Sequence, residues 1–315
     1  MDHLNINHEK GRHDWLTTFY FDFLNLAIDP RKEENLKAGQ KTVWANAGAN
    51  QFHLPEGKPN AQVLEGIVTL VYSDLEPLRL RLDQVQPKLQ GSLFAVQEHD
   101  NSEMLIVTDP WGSTFHLVQG VEEEDRDPRG KQPGDISECL GMRDLTIYTS
   151  VSCNTDGIAR FYNKVMKAPI LHSDAQKCVV SVGPRQTLTF QKHPDNKENV
   201  QHEDLRDDKV EPPEGCKTFQ SNYGPHVSMY IADFSACYKR ADELGVTYVN
   251  PRFKRRAYSL EEAVDDCMFR LLDIVDPDDG KLLLRLEHEV RNVVKRDGSK
   301  YKSCPFDEIP SSCVQ

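Results

Sequence analysis

Three histidines fall on short stretches in which apolar and polar residues alternate: His3 in HLNIN, His53 in NQFHL and His116 in TFHLV. Alternation of this kind marks strands, whose successive side chains point to opposite faces. Leu4 and Ile6 take one face of the first stretch, and His3, Asn5 and Asn7 take the other. Phe52 and Leu54 likewise leave Gln51 and His53 on the polar face, and Phe115 and Leu117 leave Thr114, His116 and Val118. With the apolar faces covered by helices, the polar faces would line a cavity furnished with imidazole and amide groups. A neutral imidazole binds Zn, Fe, Ni or Mn, or moves protons as a general acid or base on a bound carbonyl. His3 and His116 are the catalytic candidates, with Asn5, Asn7, Gln51 and Thr114 as substrate contacts. The competing reading is a polar pocket of hydrogen-bonded imidazoles. His8 and His13 are expected to be exposed.

The elements that carry these residues repeat along the chain. FYFDFLNL (19–26) and FYNKVMKA (161–168) share an F-Y followed by apolar positions at helical spacing. WANAGANQFHL (44–54) matches VVSVGPRQTLTF (179–190), with Gln51 and Gln186 each three residues after a glycine. VTLVYSDL (68–75) matches VSMYIADF (227–234), and IVTDPWG (106–112) matches DIVDPDDG (273–280). Four matches in one order describe two copies of one unit. Within each copy, a strand, a helix and a group of strands occur twice, which predicts an α+β fold.

The bulk composition agrees with two domains. The chain has 315 residues, 38% of them hydrophobic, which suffices for two cores. Its net charge of −12 disfavours a nucleic-acid partner. No run of about 18 apolar residues predicts a membrane span, and the N-terminus does not read as a signal peptide. All eight cysteines follow residue 138 and none forms a C-x-x-C pair, so a zinc ribbon is not expected. Reduced thiols in a cytoplasmic protein are. Expected boundaries are 1–120 for the first domain, 121–138 for an acidic linker and 139–290 for the second domain, with a long loop at 192–222. A polar tail fills 291–315.

The ordered set of F-Y helix, second strand–helix pair and closing V-x-D-P-x-G hairpin, present twice, resembles the vicinal-oxygen-chelate superfamily of glyoxalases, extradiol dioxygenases and antibiotic-resistance proteins. The resemblance covers roughly 1–120 and 139–290. It implies four βαβββ modules forming two U-shaped sheet domains with helices on the convex faces. It also implies a divalent metal (Zn, Fe, Ni or Mn) held by the first and last strands of each module. His3 and His116 match two of those ligand positions, and His53 lies near a third. The fourth, seven residues before Asp74, falls on Ile67, for which Glu65 is the substitute on the same strand face. The implied metal set is therefore His3, His53, His116 and Glu65. In the second domain His226 occupies a ligand position, but Arg285 stands where the last ligand is expected, and a guanidinium binds no metal. That domain is expected to be a degenerate copy that holds no metal, with the candidate active site in the first.

Two further motifs have bland readings. PRFKRRAY (251–258) is a basic cluster that could grip an anionic substrate or balance the neighbouring EEAVDD run. VEEED (121–125) lacks the spacing of a calcium loop. The resulting expectation is a metal-dependent glyoxalase- or dioxygenase-like enzyme. It would act on a small oxygenated substrate by Lewis-acid stabilisation of an enolate, as monomer or homodimer. The alternative is a metal-free small-molecule-binding protein of the same fold.

Overall fold

The computed structural model describes residues 1–38, 42–57, 60–99, 103–121, 131–132, 134–207, 211–212 and 218–301. Most of the acidic run of the expected linker, parts of the loop at 192–222, the tail from 302 onward, and Cys216, Cys304 and Cys313 lie outside them. The chain forms two compact units. The first comprises Asp2–Ile147 with Gly183–Leu188, and the second comprises Met1, Tyr148–Val182 and Thr189–Gln315. The fold is α+β in both.

In the first unit, β1 (His3–Asn5) leads into α1 (His13–Thr17), which continues as a π-helical turn over Thr18–Phe23. Its apolar residues Trp15, Leu16, Phe19, Tyr20 and Phe23 recur at helical spacing and all are buried. β2 (Ala27–Ile28), α2 (Pro30–Lys37), β3 (Thr42–Ala47) and β4 (Asn50–Pro55) complete the first module. Asp29 caps α2 by accepting from Arg31 N at 2.8 Å, and Pro30 supplies the preset φ of a first helical residue. The strand order is β1-β4-β3-β2, with β1 parallel to β4.

The second module of this unit contains β5 (Gly66–Tyr72), α3 (Glu76–Val85), β6 (Ala95–Glu98), β7 (Met104–Thr108) and β8 (Thr114–Gln119). β9 (Cys139–Thr149) follows and pairs antiparallel with β5, giving the order β9-β5-β8-β7-β6. The turn between β7 and β8 is held by Asp109, whose Oδ1 accepts from the N–H groups of Trp111, Gly112 and Ser113 at 2.8, 2.7 and 2.8 Å. The strand parity reads correctly here. Phe52 packs on Tyr20 at 5.4 Å, and Phe115 packs on Phe19 at 5.3 Å. Full burial of each such ring is worth roughly 1.5–3 kcal/mol.

The second unit repeats the plan. α4 (Thr155–Phe161), capped by Asn154, passes into a π-helical turn at Tyr162–Met166. β10 (Ile170–Ser173), β11 (Lys177–Gly183) and β12 (Gln186–Lys192) follow in sheet order. Within the long loop, β13 (Leu205–Arg206) pairs with β14 (Ser221–Asn222). β15 (His226–Tyr230), α5 (Phe234–Glu243), β16 (Thr247–Tyr248), α6 (Leu260–Asp266), β17 (Met268–Val275) and β18 (Leu282–Arg291) form the last module, in order β16-β17-β18-β15. Phe234 and Tyr238 of α5 pack on Phe269 at 5.2 and 5.1 Å. The polar residues after β18 turn back on themselves, Tyr301 N donating to Val293 O at 2.8 Å. Among the described residues no helix is long and apolar enough to cross a membrane.

Candidate functional site

In the first unit, parallel pairing puts His3 opposite Gln51 and Asn5 opposite His53. The His3 and His53 rings stack with centroids 3.7 Å apart, and Trp44 of β3 covers the other side of His53 at 4.3 Å. His3 is fully buried. Its Nδ1 donates to the Asp2 carboxylate at 2.9 Å, since a carboxylate only accepts, so the lone pair resides on Nε2. A carboxylate behind an imidazole is the arrangement that orients metal-binding histidines.

Gln51 is buried and its amide is committed. Nε2 donates to Asp29 Oδ2 at 2.7 Å and to the Asn46 side chain, which leaves Oε1 to accept from His53 Nε2 at 2.7 Å. The His53 proton is thereby fixed on Nε2, with the lone pair on Nδ1. Gln51, expected to touch substrate, thus joins His53, Asp29 and Asn46 through its amide. Asn5 is half-buried beside these rings. Asn7 is buried, and its backbone N–H donates to Gln62 Oε1 at 2.7 Å.

The other predicted residues stand on the other sheet of this unit. His116 lies on β8 opposite Thr69 of β5 and Ile106 of β7, and Thr114 lies opposite Ile67 and Thr108. Glu65 immediately precedes β5. His3 and His116, expected on facing strands, lie on different sheets: β1 pairs with β4, whereas β8 pairs with β5. The surroundings of His116 are Asp144 and His99. Burial, then His99, lower its pKa, and Asp144 acts against them. Asp144 itself accepts from the hydroxyls of Thr146 and Thr187 at 2.6 and 2.5 Å. His8, expected at the surface, is 1% exposed, and neither ring nitrogen has a hydrogen-bond partner among the described residues. Its apolar neighbours include the Trp111 ring at 6.3 Å, and burial drives its pKa down to about 4.

The second unit holds a denser polar cluster. β15 runs parallel to β18 with His226 opposite Glu287 and Ser228 opposite Glu289, and β17 sets Arg270 opposite Glu289 from the other side. His226 Nε2 lies 3.8 Å from Glu289 Oε2, and both residues are buried. Glu287 accepts from Arg270 at 2.5 Å, from Asn222 and Asn250 at 2.9 Å each, and from the Tyr248 hydroxyl at 3.2 Å. Arg270 also donates to Glu289, which accepts from Arg291 Nε as well at 2.5 Å. Phe253 walls the cluster, its ring 5.6 Å from His226 and 3.7 Å from the Arg270 guanidinium. The Ser228 hydroxyl, on the same strand face as His226, is fully buried with no hydrogen-bond partner among the described residues.

Sequence reasoning found His226 but missed Glu289. β18 extends past Glu287, and bulges between Leu271 and Asp273 and between Ile274 and Val275 shift its register against β17. The unbroken parallel register of β15 with β18 sets Glu287, not Arg285, opposite His226. Arg285 pairs instead with Asp273 at 2.9 Å and Glu203 at 3.7 Å. The signal was present in RLEHEVR, where charged residues occupy alternate positions through Arg291.

No known family model matches the sequence, and no curated protein matches it. Solved structures do. A "putative dioxygenase" from Bacillus subtilis subsp. subtilis str. 168 matches with TM-score 0.51 at 12% identity, covering 92% of this chain and 84% of that one. Glyoxalase I from Zea mays matches with TM-score 0.48 at 13% identity, covering 92% and 91%. The first likeness, over 92% of this chain, shows the fold alone: the α+β arrangement that the repeated motifs led one to expect.

Proposed function

We propose that the protein is a metal-dependent enzyme of the glyoxalase or dioxygenase kind, acting on a small oxygenated molecule. The observation that carries this reading is the buried pair His226–Glu289, with Nε2 and Oε2 3.8 Å apart on the first and last strands of one module. That separation exceeds a hydrogen bond and is within reach of two bonds of about 2.0–2.2 Å to a shared ion. Imidazole with carboxylate suits Zn, Fe, Ni or Mn. The orphan hydroxyl of Ser228 on the same face supports a ligand there. In the first unit the proposed donor is His3, oriented by Asp2, and His53 is the proposed acid–base group. Glu65 and His116, also expected as ligands, are proposals that the pairing of β5 with β8 favours less.

A bound divalent ion would supply Lewis-acid stabilisation of negative charge on substrate oxygens. The chain's own part is to prepare that environment. Arg270 bridges Glu287 and Glu289, Asn222, Asn250 and Tyr248 lock the Glu287 carboxylate, and Phe253 shields the cluster from water. Five cysteines among the described residues are free, buried thiols, in keeping with a proposed cytoplasmic location.

A metal-free binding protein is the second reading, favoured by Arg270, which already neutralises the cluster's carboxylates. Metal analysis separates the two. Protein loaded with Zn, Fe, Ni or Mn and then desalted is expected to keep a stoichiometric ion that His226→Ala loses. Retention of no ion by the unaltered protein would leave the metal-free reading standing.

A further inference from the structure

The basic run at 251–258 is mostly consumed by the fold. Arg256 donates to the backbone carbonyls of Phe253 and Pro251, and Arg255 donates to the Tyr301 hydroxyl. Arg252 is different. Its guanidinium lies on the Tyr223 ring at 3.8 Å, with Phe253 at 5.6 Å. Its NH1 donates to Asn222 O at 2.6 Å. No carboxylate forms an ion pair with it among the described residues. Arg206, on the same tyrosine at 4.3 Å, is already paired with Asp204 at 2.5 Å.

Arg252 is part-buried, and desolvation works against its charge. A desolvated guanidinium held over an aromatic ring, with most of its donor fork unspent, is built to receive a planar oxyanion. Its neighbourhood does not repel one. Arg270, Arg291 and Arg252 bring three positive charges against the two of Glu287 and Glu289. Asn222 links the two places, accepting from Arg252 through its carbonyl and donating to Glu287 through its amide.

We propose that Arg252 binds the carboxylate of an anionic substrate whose reacting end lies at the His226–Glu289 pair. This deepens the function proposed above and rests on it. The substrate class is a small carboxylic acid carrying oxygens at a second position.

The test uses the full-length protein stripped of metal with a chelator, so that no ion can capture the probe. Malonate, its neutral analogue malonamide and inorganic phosphate are titrated by calorimetry. Malonate is expected to bind, and malonamide is not. Arg252→Met is expected to weaken malonate about tenfold or more, the worth of a hydrogen-bonded charge. Malonate binding unchanged in Arg252→Met, malonamide binding as well as malonate, or phosphate binding in place of malonate would each overturn the proposal. Should Arg252→Met not fold, Arg252→Lys takes its place. It keeps the charge and loses the fork, and equal malonate affinity there would count against the proposal equally. Metal retention by the same variants is measured in parallel. Loss of malonate binding with metal retained supports the anion site, whereas malonate binding by a protein that never holds metal leaves the anion site standing and removes the metal reading.

Discussion

His53 stacks on His3 at 3.7 Å because β1 and β4 run parallel, which sets Asn5 opposite His53 and His3 opposite Gln51. Gln51, two residues before His53 on the same face, then reaches its imidazole and fixes its proton. Gln51→Ala is expected to release that proton between the two ring nitrogens and to leave Asn46 and Asp29 short of a donor. Nitrogen-15 NMR of the histidine rings should show His53 protonated on Nε2 in the unaltered protein and mixed in the variant. Denaturant unfolding should report a loss of about 1–3 kcal/mol. A single Nε2–H form in both proteins would remove Gln51 from this role.

Arg270 carries two carboxylates at once, donating to Glu287 and to Glu289. Arg270→Met leaves Glu287 buried without its cation and Glu289 with Arg291 alone, and the expected cost is about 3–5 kcal/mol. Adding Glu287→Gln to that variant should restore part of the loss, because one uncompensated charge disappears while its acceptor oxygen remains. Urea unfolding of the single and double variants gives the answer. A double variant no more stable than the single one would mean that the cost arises elsewhere.

Stability should fall as pH rises through one window because of Asp109. Burial lifts its pKa to about 6, although the backbone N–H groups of Ser113, Trp111 and Gly112 pull the other way. An acid whose folded pKa is raised binds its proton more tightly when folded, so stability declines from about pH 4 to about pH 6 and is level above. Asp109→Asn keeps an oxygen for the three N–H donors and removes the buried charge. It is expected to gain of the order of 1–3 kcal/mol at pH 8 and to lose the decline. A pH series of Tm values for both proteins tests this; parallel curves would refute it.

His8 acts in the opposite sense. Its folded pKa of about 4 lies below the ordinary value of 6.5, with burial the largest cause. The fold resists the proton, so stability drops as pH falls from about 6.5 toward 4. His8→Leu removes a buried imidazole whose nitrogens lack partners and is expected to flatten the acid side of the Tm profile. A variant with the same acid slope would assign that slope to another group.

Much of this was legible in the sequence and some was not. The F-Y helices, the D-P-x-G turns and the apolar parity of β4 and β8 follow from local periodicity, and Phe52, Phe115 and Tyr20 pack as that periodicity requires. His226 was legible from the repeat. Strand pairing was not: parity says which face His116 takes but not which strand lies beside β8, so its place on a different sheet from β1 needed coordinates. Glu289 was hidden because parity groups Arg285, Glu287 and Glu289 on one face, and only the pairing of β15 with β18 says which of them lie near His226. The Gln51 network was not legible because an amide's hydrogen-bond partners, here Asp29 from 22 residues away, are set by tertiary structure.

The pairing of β9 with β5 has a consequence for synthesis. Gly48, at φ +60° in the β3–β4 turn, sits so close to this strand that a Cβ would meet Leu140 O at 2.0 Å, so the first unit is shaped around residues that leave the ribosome late. Until residue 147 has emerged, one long side of β5 presents unsatisfied N–H and C=O groups, and the segment Gly183–Leu188 arrives later still. A nascent chain ending at the acidic run would therefore expose a bare apolar strand edge, the kind that recruits chaperones or other copies of itself. Expression of residues 1–120 alone should yield aggregates where 1–190 does not.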